Sequence, residues 1–210
     1  MFSRLLAGVL GIVGLLGGAA AVNADVIYSN LGPGDSHLTT QRNFGNTNED
    51  FLTVRASPFT ASGAFSLDSV DVALSLLDDE NVRFTIHQDN SGAPGSSLGH
   101  VDSLISAATG AIVNVDFVAA NIQLSAGDYW LSVEHLDAVW NNEETGWWRL
   151  NDTGAIGHAT SFNDGAWILS NATESYAFRV NGTPLTQVPE PATWGLLAIG
   201  AIGLLRCRRA

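Results

Sequence analysis

The fold is decided by a stretch in the middle of the chain, Val70-Asp71-Val72-Ala73-Leu74-Ser75-Leu76, in which apolar residues occupy every second position. Successive side chains of a β-strand point to opposite faces, so this period of two predicts a strand with one buried face. The alternation recurs in four further runs, at 82–86, 113–117, 129–133 and 176–180. No long segment has the 3.6-residue period of an amphipathic helix.

Clusters of glycine, asparagine and proline separate these runs, as in residues 89–95 and 163–165, and they favour tight turns between strands. Short strands with one apolar face each need a second layer to cover that face. The sequence therefore predicts an all-β domain over residues 25–183, a jelly-roll-like β-sandwich, with a closed barrel as the alternative. Residues 184–188 contain Pro184 and no apolar period, which predicts a linker.

The chain is strongly acidic. Residues 25–188 contain 20 carboxylates against five arginines, a formal balance of −15, and no lysine occurs in the 210 residues. Such a surface repels nucleic acid and anionic lipid, because phosphate binding depends on lysine and arginine. We therefore expect no nucleic-acid partner, whereas cations and neutral glycans are compatible. The only cysteine, Cys207, lies near the C-terminus, so the domain has no disulfide and no cysteine-based zinc site.

The N-terminus has the composition of a signal peptide. Arg4 precedes an apolar run from Leu5 to Val22, and Val22 and Ala24 place small or medium residues just before a cut at Asp25. We expect residues 1–24 to be removed on export, with cleavage between Ala24 and Asp25. A retained membrane anchor is the alternative.

The C-terminus combines three elements in a fixed order. Pro189-Glu190-Pro191 comes first, apolar residues 192–205 follow, and the chain closes with Arg206, Arg208 and Arg209. Fourteen helical residues span about 21 Å, less than the roughly 30 Å hydrocarbon core of a bilayer, so permanent anchoring by this hydrophobic helix alone is marginal. The arginines should stay in the cytoplasm, which leaves the preceding chain outside.

This tail, residues 189–210, resembles the PEP-CTERM signal of Gram-negative bacteria. The resemblance implies that an exosortase, an inner-membrane transpeptidase-like enzyme, recognises and cuts the tail after a transient stay in the inner membrane. It also implies a place in the cell envelope, at the cell surface or in the extracellular matrix, in association with exopolysaccharide or biofilm. An unprocessed single-span anchor is the alternative.

The domain resembles bacterial choice-of-anchor domains. The turn at 89–95 after the strand-like Phe84-Thr85-Ile86-His87, the run at 126–133 and the closing run at 176–182 carry this resemblance. Members of those families pair a β-rich extracellular domain with one of several sorting tails. The resemblance implies the fold class and defines no activity.

One segment matches a catalytic motif formally. Gly95-Ser96-Ser97-Leu98-Gly99 fits the Gly-x-Ser-x-Gly nucleophile elbow, which requires a strand before the serine and a helix after it. Here a Pro-Gly turn precedes Ser97 and a strand-like run, His100 to Ile105, follows it. We therefore predict no catalytic residue and no enzymatic activity, with a serine hydrolase as the weakest alternative.

The metal-ligand chemistry of the sequence is sparse. Its five histidines are His37, His87, His100, His135 and His158. They are scattered without a zinc-binding spacing, which favours structural roles. Carboxylates in turns, chiefly Asp78, Asp79 and Asp89 and also Asp164, are candidate ligands for a structural Ca²⁺, but none fits a linear calcium-binding loop. We predict no cofactor and keep structural Ca²⁺ as an alternative.

Tryptophan is concentrated in the second half of the domain. Trp130 alternates with the apolar Tyr129, Leu131 and Val133, so it should lie on the less apolar face of its strand. Exposed indoles stack on sugar rings, which makes Trp130, Trp147 and Trp148 candidate glycan-binding residues. We favour the alternative that most of the tryptophans fill a second apolar layer. If Trp147 and Trp148 are consecutive strand residues, one points inward and the other outward.

Three functions compete on these grounds. A non-enzymatic protein of the cell envelope or extracellular matrix accounts for both the tail and the β-rich domain, and it is our first hypothesis. A carbohydrate-binding module is the second hypothesis, and it requires solvent-exposed indoles on one patch. A hydrolase is the third, and it requires a histidine beside Ser97 together with oxyanion donors.

Overall fold

The computed structural model describes residues 24–47, 51–136, 145–163 and 165–185. The predicted sorting tail and nearly all of the predicted signal peptide lie outside these residues. In the described ranges no helix is long or apolar enough to cross a membrane. The chain forms β1 Asp25–Ser29, β2 Gln41–Thr47, β3 Phe51–Ala61, β4 Phe65–Leu76, β5 Glu80–Asp89, β6 Pro94–Ile105, β7 Ala108–Asp116, a 3-10 turn Val118–Ala120, β8 Gln123–Leu124, β9 Gly127–His135, β10 Thr145–Arg149, β11 Ile156–Phe162, β12 Ile168–Glu174 and β13 Phe178–Pro184.

All strand pairs are antiparallel, and the strands form two layers. One layer, the six-stranded half, has the order β12-β11-β3-β9-β5-β6. The other, the four-stranded half, has the order β1-β13-β4-β7, with β8 and β10 paired to opposite ends of β4. Strand β2 pairs with β10 and with β3, so it joins the two halves into one curled sheet.

The main core lies between the two halves. Phe59 and Leu131 from the six-stranded half face Val72 and Phe178 from the four-stranded half, and all four are at most 2% exposed. The rings of Phe59 and Phe178 meet edge to face with centroids 6.1 Å apart. Burying one such side chain contributes about 1.5–3 kcal/mol, so this interior is the main source of stability for a domain without disulfides.

The predicted fold class is confirmed, because the described chain is almost entirely antiparallel β-structure. Each apolar run lies in or beside a strand, with the deciding stretch at 70–76 in β4. Instead of two separate sheets, the strands form one, because β10 uses one edge to pair with β2 and the other to pair with β4. The predicted start of the domain, Asp25, is the first residue of β1. The predicted linker starts one residue early, since Pro184 still pairs with Phe65.

Candidate functional site

The outer face of the six-stranded half carries a second, smaller apolar layer. Ala56 on β3, Trp130 on β9 and Ala159 on β11 are buried there, and Trp167, from the loop after β11, packs against them. We call the surface defined by these four residues the indole face. Period two in β3, β9 and β11 places these side chains opposite the main core. The indole face is therefore a second apolar layer, but among the tryptophans of the described chain it contains Trp130 and Trp167 rather than most of them.

Trp130 lies within this layer and is 3% exposed. Its indole Nε1 donates a hydrogen bond of 2.7 Å to Asp89 Oδ1, and the backbone N–H of Gly92 donates to Asp89 Oδ2 at 3.0 Å. Burial corrects the expectation that Trp130 offers a ring for stacking, because Ala56, Ala159 and Trp167 cover it. Its role is to fix the carboxylate of Asp89 at the rim of the layer.

Trp147 and Trp148 are consecutive residues of β10, and their side chains take opposite sides as predicted. Trp148 is fully buried, donates from Nε1 to the carbonyl of Ala177 at 3.0 Å, and stacks on Tyr176 with ring centroids 4.6 Å apart. A core position excludes Trp148 from sugar stacking. Trp147 is partly exposed, and it lies on β10 rather than on the indole face, so the three candidate tryptophans do not form one patch.

A cleft of about 590 Å³ opens beside Trp130 on the indole face. Its walls combine apolar surface from Pro58 and Ile156 with polar groups from Asp128 and Asn171. Its volume falls in the range of small-molecule sites, and mixed lining of this kind suits a ligand with both C–H and hydroxyl groups.

The two carboxylates of this cleft are held in place by hydrogen bonds. Asp128 Oδ1 accepts from the hydroxyl of Thr60 at 2.6 Å, and Asp89 is fixed by the two donors described above. An ionised carboxylate offers about four acceptor positions, so these bonds leave capacity for ligand donors on both residues. The cleft thus presents two oriented acceptors.

A second, smaller pocket of about 200 Å³ is lined in part by Trp167. His87 and Ser132 line it, and the ring of Trp167 meets that of His87 edge to face at 5.9 Å. His87 donates from Nδ1 to the carbonyl of Gly95 at 3.1 Å, because a carbonyl can only accept, and its Nε2 accepts from the Ser132 hydroxyl at 2.9 Å. Burial lowers the pKa of His87 below its ordinary 6.5, and the bond to the Gly95 carbonyl opposes that shift.

The His87–Ser132 pair has the polarity of a general base and its hydroxyl partner. Ser132 is 3% exposed and lies in the middle of the sheet, opposite Ala56 on β3 and Thr85 on β5. Stabilising an oxyanion requires backbone donors aimed at the reacting atom, and here the strand ladders on both sides engage the backbone. We interpret the pair as a hydrogen bond that supports Trp167.

Ser97, the serine of the formal motif, lies on β6 and is exposed. The whole segment from Gly95 to Gly99 belongs to that strand, which begins at Pro94. The strand predicted after Ser97 is therefore confirmed, the Pro-Gly turn predicted before it is wrong, and the segment does not form a strand-turn-helix elbow. In the pairing of β6 with β5, Ser97 lies opposite His87, but the His87 ring bonds to Gly95 and Ser132. The absence of enzymatic activity stays a prediction.

The candidate calcium ligands occupy separate places. Asp78 and Asp79 are exposed in the turn between β4 and β5, where Asp79 accepts from the backbone N–H of Ala107 at 2.9 Å. Asp89 lies at the indole face, and Asp164 is outside the described residues. The described chain brings together no group of three or more histidine, cysteine or acidic residues that could hold a metal ion.

Four of the five histidines have hydrogen-bond partners that explain them structurally. His37 bonds to the carbonyl of Gly110 at 3.0 Å, and His158 bonds to Thr173 at 3.2 Å. His135, fully buried in the core, approaches Glu80 at 2.5 Å. His87 belongs to the pocket described above, and His100 is exposed on β6.

Sequence reasoning singled out Trp130, Asp89 and His87, but not the other residues that line the clefts. Asp128 and Asn171 are ordinary polar residues of β9 and β12, and only the packing of the β11–β12 hairpin beside Trp130 places them at one cleft. Ser132 lies two positions after Trp130 on β9, so the alternation that placed Trp130 on the outer face places Ser132 there as well. A signal for Trp167 was its position directly after the turn at 163–165, which sends the chain back over the sheet.

The comparison with family models concerns the C-terminal tail. Residues 187–209 match the model of the PEP-CTERM protein-sorting motif. This chain carries a PEP-CTERM sorting motif. The match contains the residues predicted to carry the signal, namely Pro189, Glu190, Pro191, Arg206, Arg208 and Arg209.

The PEP-CTERM motif identifies an exported, envelope-associated protein with a C-terminal sorting signal that an exosortase-type enzyme processes. No curated protein matches the chain. The resemblance of residues 25–183 to choice-of-anchor domains stays a prediction, as does the N-terminal signal peptide.

Proposed function

We propose that this is a non-enzymatic protein of the cell surface or extracellular matrix of a Gram-negative bacterium, associated with exopolysaccharide. The observation that carries the proposal is the PEP-CTERM motif at residues 187–209, directly after the last strand of a folded β-domain. The motif supplies the route out of the cell, and the domain is the part that acts at the destination.

The ends of the domain fit removal of both flanking segments. Strand β1 begins at Asp25, the predicted first residue after cleavage, and β13 ends at Pro184, before the motif. Asp25 lies opposite Gly182 in the pairing of β1 with β13. The first residue of β1 and the last part of β13 therefore lie side by side, and removing the segments before Asp25 and after Pro184 would leave all the described strands intact.

The acidic charge of the domain supports a neutral, hydroxyl-rich partner. Residues 25–188 have a formal balance of −15 without a single lysine, so anionic polymers are repelled. Carboxylates accept hydrogen bonds from sugar hydroxyls, and a neutral polysaccharide carries many such donors. A secreted polysaccharide of low charge is the partner that fits this surface best.

The first test follows the processing of the tail in the native host. Exported material from wild type should contain a chain that begins at Asp25 and ends near Pro189, measured by intact-mass analysis. Glu190→Ala, or deletion of the exosortase gene, should leave the tail attached. Thr186→Ala, just outside the motif, is the matched control and should be processed like wild type. Exported chain that still carries residues 1–24 or 192–210 would contradict the proposal.

A carbohydrate-binding module is the second candidate, and the cleft beside Trp130 favours it. Asp128→Asn removes one oriented acceptor of the cleft, while the Thr60 hydroxyl can still donate to the amide oxygen. We expect weaker retention of the exported protein on exopolysaccharide from the same host, measured by affinity electrophoresis. Asp102→Asn is the control, since Asp102 is an exposed carboxylate on β6, away from the cleft, paired with Arg83 at 2.8 Å. Equal retention of both variants and wild type would eliminate this candidate.

A further inference from the structure

The indole face offers two separate spaces to a ligand. The larger is the cleft of about 590 Å³ lined by Trp130 and Asp128, which we call the Trp130 cleft. The smaller is the pocket of about 200 Å³ lined by Trp167 and Ser132, which we call the Trp167 pocket. Because Trp167 packs against Trp130, the partly exposed indole of Trp167 lies at the boundary between the two spaces.

The same two strands line both spaces. On β9, Asp128 lines the cleft and Ser132 lines the pocket, and on β3, Pro58 lines the cleft and Val54 lines the pocket. All four side chains point away from the main core, because period two keeps them on the same side of their strands as the indole face. Four residues of a strand span about 13 Å, so the cleft and the pocket follow each other along one face over that distance.

Hydroxyl groups line the Trp167 pocket. Thr85, Ser132 and Ser161 are buried residues of three neighbouring strands, and all three border this space. The hydroxyl of Ser132 donates to His87 and that of Ser161 donates to the carbonyl of Gly165 at 2.8 Å, so each oxygen keeps its capacity to accept a hydrogen bond. The hydroxyl of Thr85 has no hydrogen-bond partner among the described residues. The pocket therefore offers acceptors and one free donor to a ligand.

This chemistry selects a neutral ligand that carries hydroxyl groups. No arginine or lysine is among the described residues that line the pocket or the cleft, and burial lowers the pKa of His87, so a phosphate or sulfate group would find no cation. An apolar ligand would leave the hydroxyls of Thr85 and Ser132 without solvent or a partner. A sugar ring carries hydroxyl groups at its edge and C–H groups on its face, and an indole such as that of Trp167 can contact the C–H groups. The pocket is smaller than the site of a drug-sized ligand, so it suits a single ring of a longer molecule.

We propose that the Trp167 pocket is a second sugar-binding subsite, and that one linear chain of neutral sugars runs from the Trp130 cleft over the indole of Trp167 into this pocket. The inference rests on the carbohydrate-binding candidate of the proposed function, and it adds the pocket and a minimum length of the ligand. A single ring fills one space, whereas a short oligosaccharide reaches both. Once the cleft holds one part of the chain, binding of the next part in the pocket is intramolecular, which raises the affinity.

The first experiment varies the length of the ligand. The probes are size-separated fragments, from disaccharide to octasaccharide, of a partial hydrolysate of exopolysaccharide from the same host. Dissociation constants are measured by isothermal titration calorimetry on the exported protein. We expect the affinity to rise by at least about tenfold with length and then to level off, once a fragment reaches from the cleft to the pocket. An affinity that does not change with length would overturn the proposal.

The second experiment locates the added affinity in the pocket. Thr85→Val removes the free hydroxyl and keeps a β-branched side chain in the strand, so its melting temperature should stay near that of wild type. Long fragments should bind this variant about threefold to tenfold more weakly, which corresponds to one lost hydrogen bond, whereas the disaccharide, which fills the larger cleft, should bind as to wild type. Thr85→Ser keeps a hydroxyl and should retain the length dependence. Thr109→Val, at an exposed threonine on β7 of the four-stranded half, is the matched control and should bind every fragment like wild type.

Two contrary results separate this inference from the proposal on which it rests. In the first, Asp128→Asn weakens the binding of the fragments, but Thr85→Val and Thr109→Val bind each fragment equally well. The cleft would then bind sugar without the pocket, which overturns this inference alone. In the second, wild type binds no fragment of any length, and the carbohydrate-binding candidate fails together with the inference.

Discussion

The outer faces of the two halves have the same strand period but different organisation. On the four-stranded half, Asp71 accepts from Arg179 at 2.9 Å, from Asn114 at 2.7 Å and from Asn181 at 3.0 Å, and Arg179 also pairs with Asp35 at 2.8 Å. This is a connected polar network whose members bond mainly to one another. On the six-stranded half, the indole face leaves two open clefts.

The difference shows what makes a sheet face available to a ligand. Both faces contain carboxylates, but Asp71 of the polar network accepts from three residues, whereas Asp128 accepts from Thr60 and borders a space that no side chain fills. A closed network contributes stability and leaves few acceptors for a partner. The indole face is therefore the better candidate for function, and the polar network the better candidate for structure.

The largest expected effect breaks the indole face itself. Trp130→Ala should lower the free energy of unfolding by about 3–5 kcal/mol, through a cavity under Trp167 and an unpaired Asp89 carboxylate. The measurement is urea denaturation of the solubilised chain. Trp147→Ala is the control, because the same residue type is removed from a partly exposed position, and it should cost far less. Equal losses for the two variants would show that the indole face is not a buried layer.

The next effect tests the polar network of the four-stranded half. Asp71→Asn removes the charge that pairs with Arg179 and should cost about 1.5–3 kcal/mol, the range for a hydrogen bond to a charged group. Asp116→Asn should cost less, because Asp116 is an exposed carboxylate of β7 that accepts from the backbone N–H of Val118. The two variants are compared by thermal melts. A loss for Asp71→Asn no larger than that for Asp116→Asn would mean that the network is not held together by its charge.

The smallest expected effect is a pH dependence of the folding stability, which differs between His87 beside the indole face and Asp71 in the polar network. Burial lowers the pKa of His87 below 6.5, so the unfolded chain binds this proton more readily than the folded chain. Stability is therefore complete above pH 6.5 and falls as the pH drops below it towards the folded pKa, by at most about 1.4 kcal/mol per pH unit for one group. His87→Gln should reduce this slope in melts between pH 5 and 7.5. His158, whose pKa burial also lowers, accounts for a remaining slope.

Asp71 should respond in a different pH range. Its burial acts to raise the pKa, but the hydrogen bonds from Asn114, Asn181 and Arg179 outweigh it and hold the pKa below the ordinary 3.8. The stability that Asp71 contributes is present above pH 3.8 and is lost as the pH falls through the lowered value. An Asp71→Asn variant should therefore differ from wild type least at the acid end of the curve. For His87 the contrary result would be a slope of stability against pH near pH 6 that His87→Gln leaves unchanged, because that slope would then not come from the residue beside the indole face.

Sequence patterns predicted much of the fold and little of the site. Period two placed strands at 70–76 and 129–133, and it separated Trp147 from Trp148, because alternation is a local property of a β-strand. The same pattern could not tell whether Trp130 is exposed or covered. That depends on Trp167, which lies 37 positions away and folds back over the sheet.

By itself, the sequence determined the all-β class, the acidic surface and the sorting tail, because each is written in local composition or in a short contiguous motif. The tertiary structure alone decided that β2 and β10 join both halves into one sheet, that Asp89, Asp128 and Asn171 meet at one cleft, and that β12 pairs with β11 alone among the described strands. These features arise from pairing between strands distant in the chain. Backbone hydrogen bonds, which every residue except proline can donate, carry no residue code for the partner, so only the packed fold determines which strands meet.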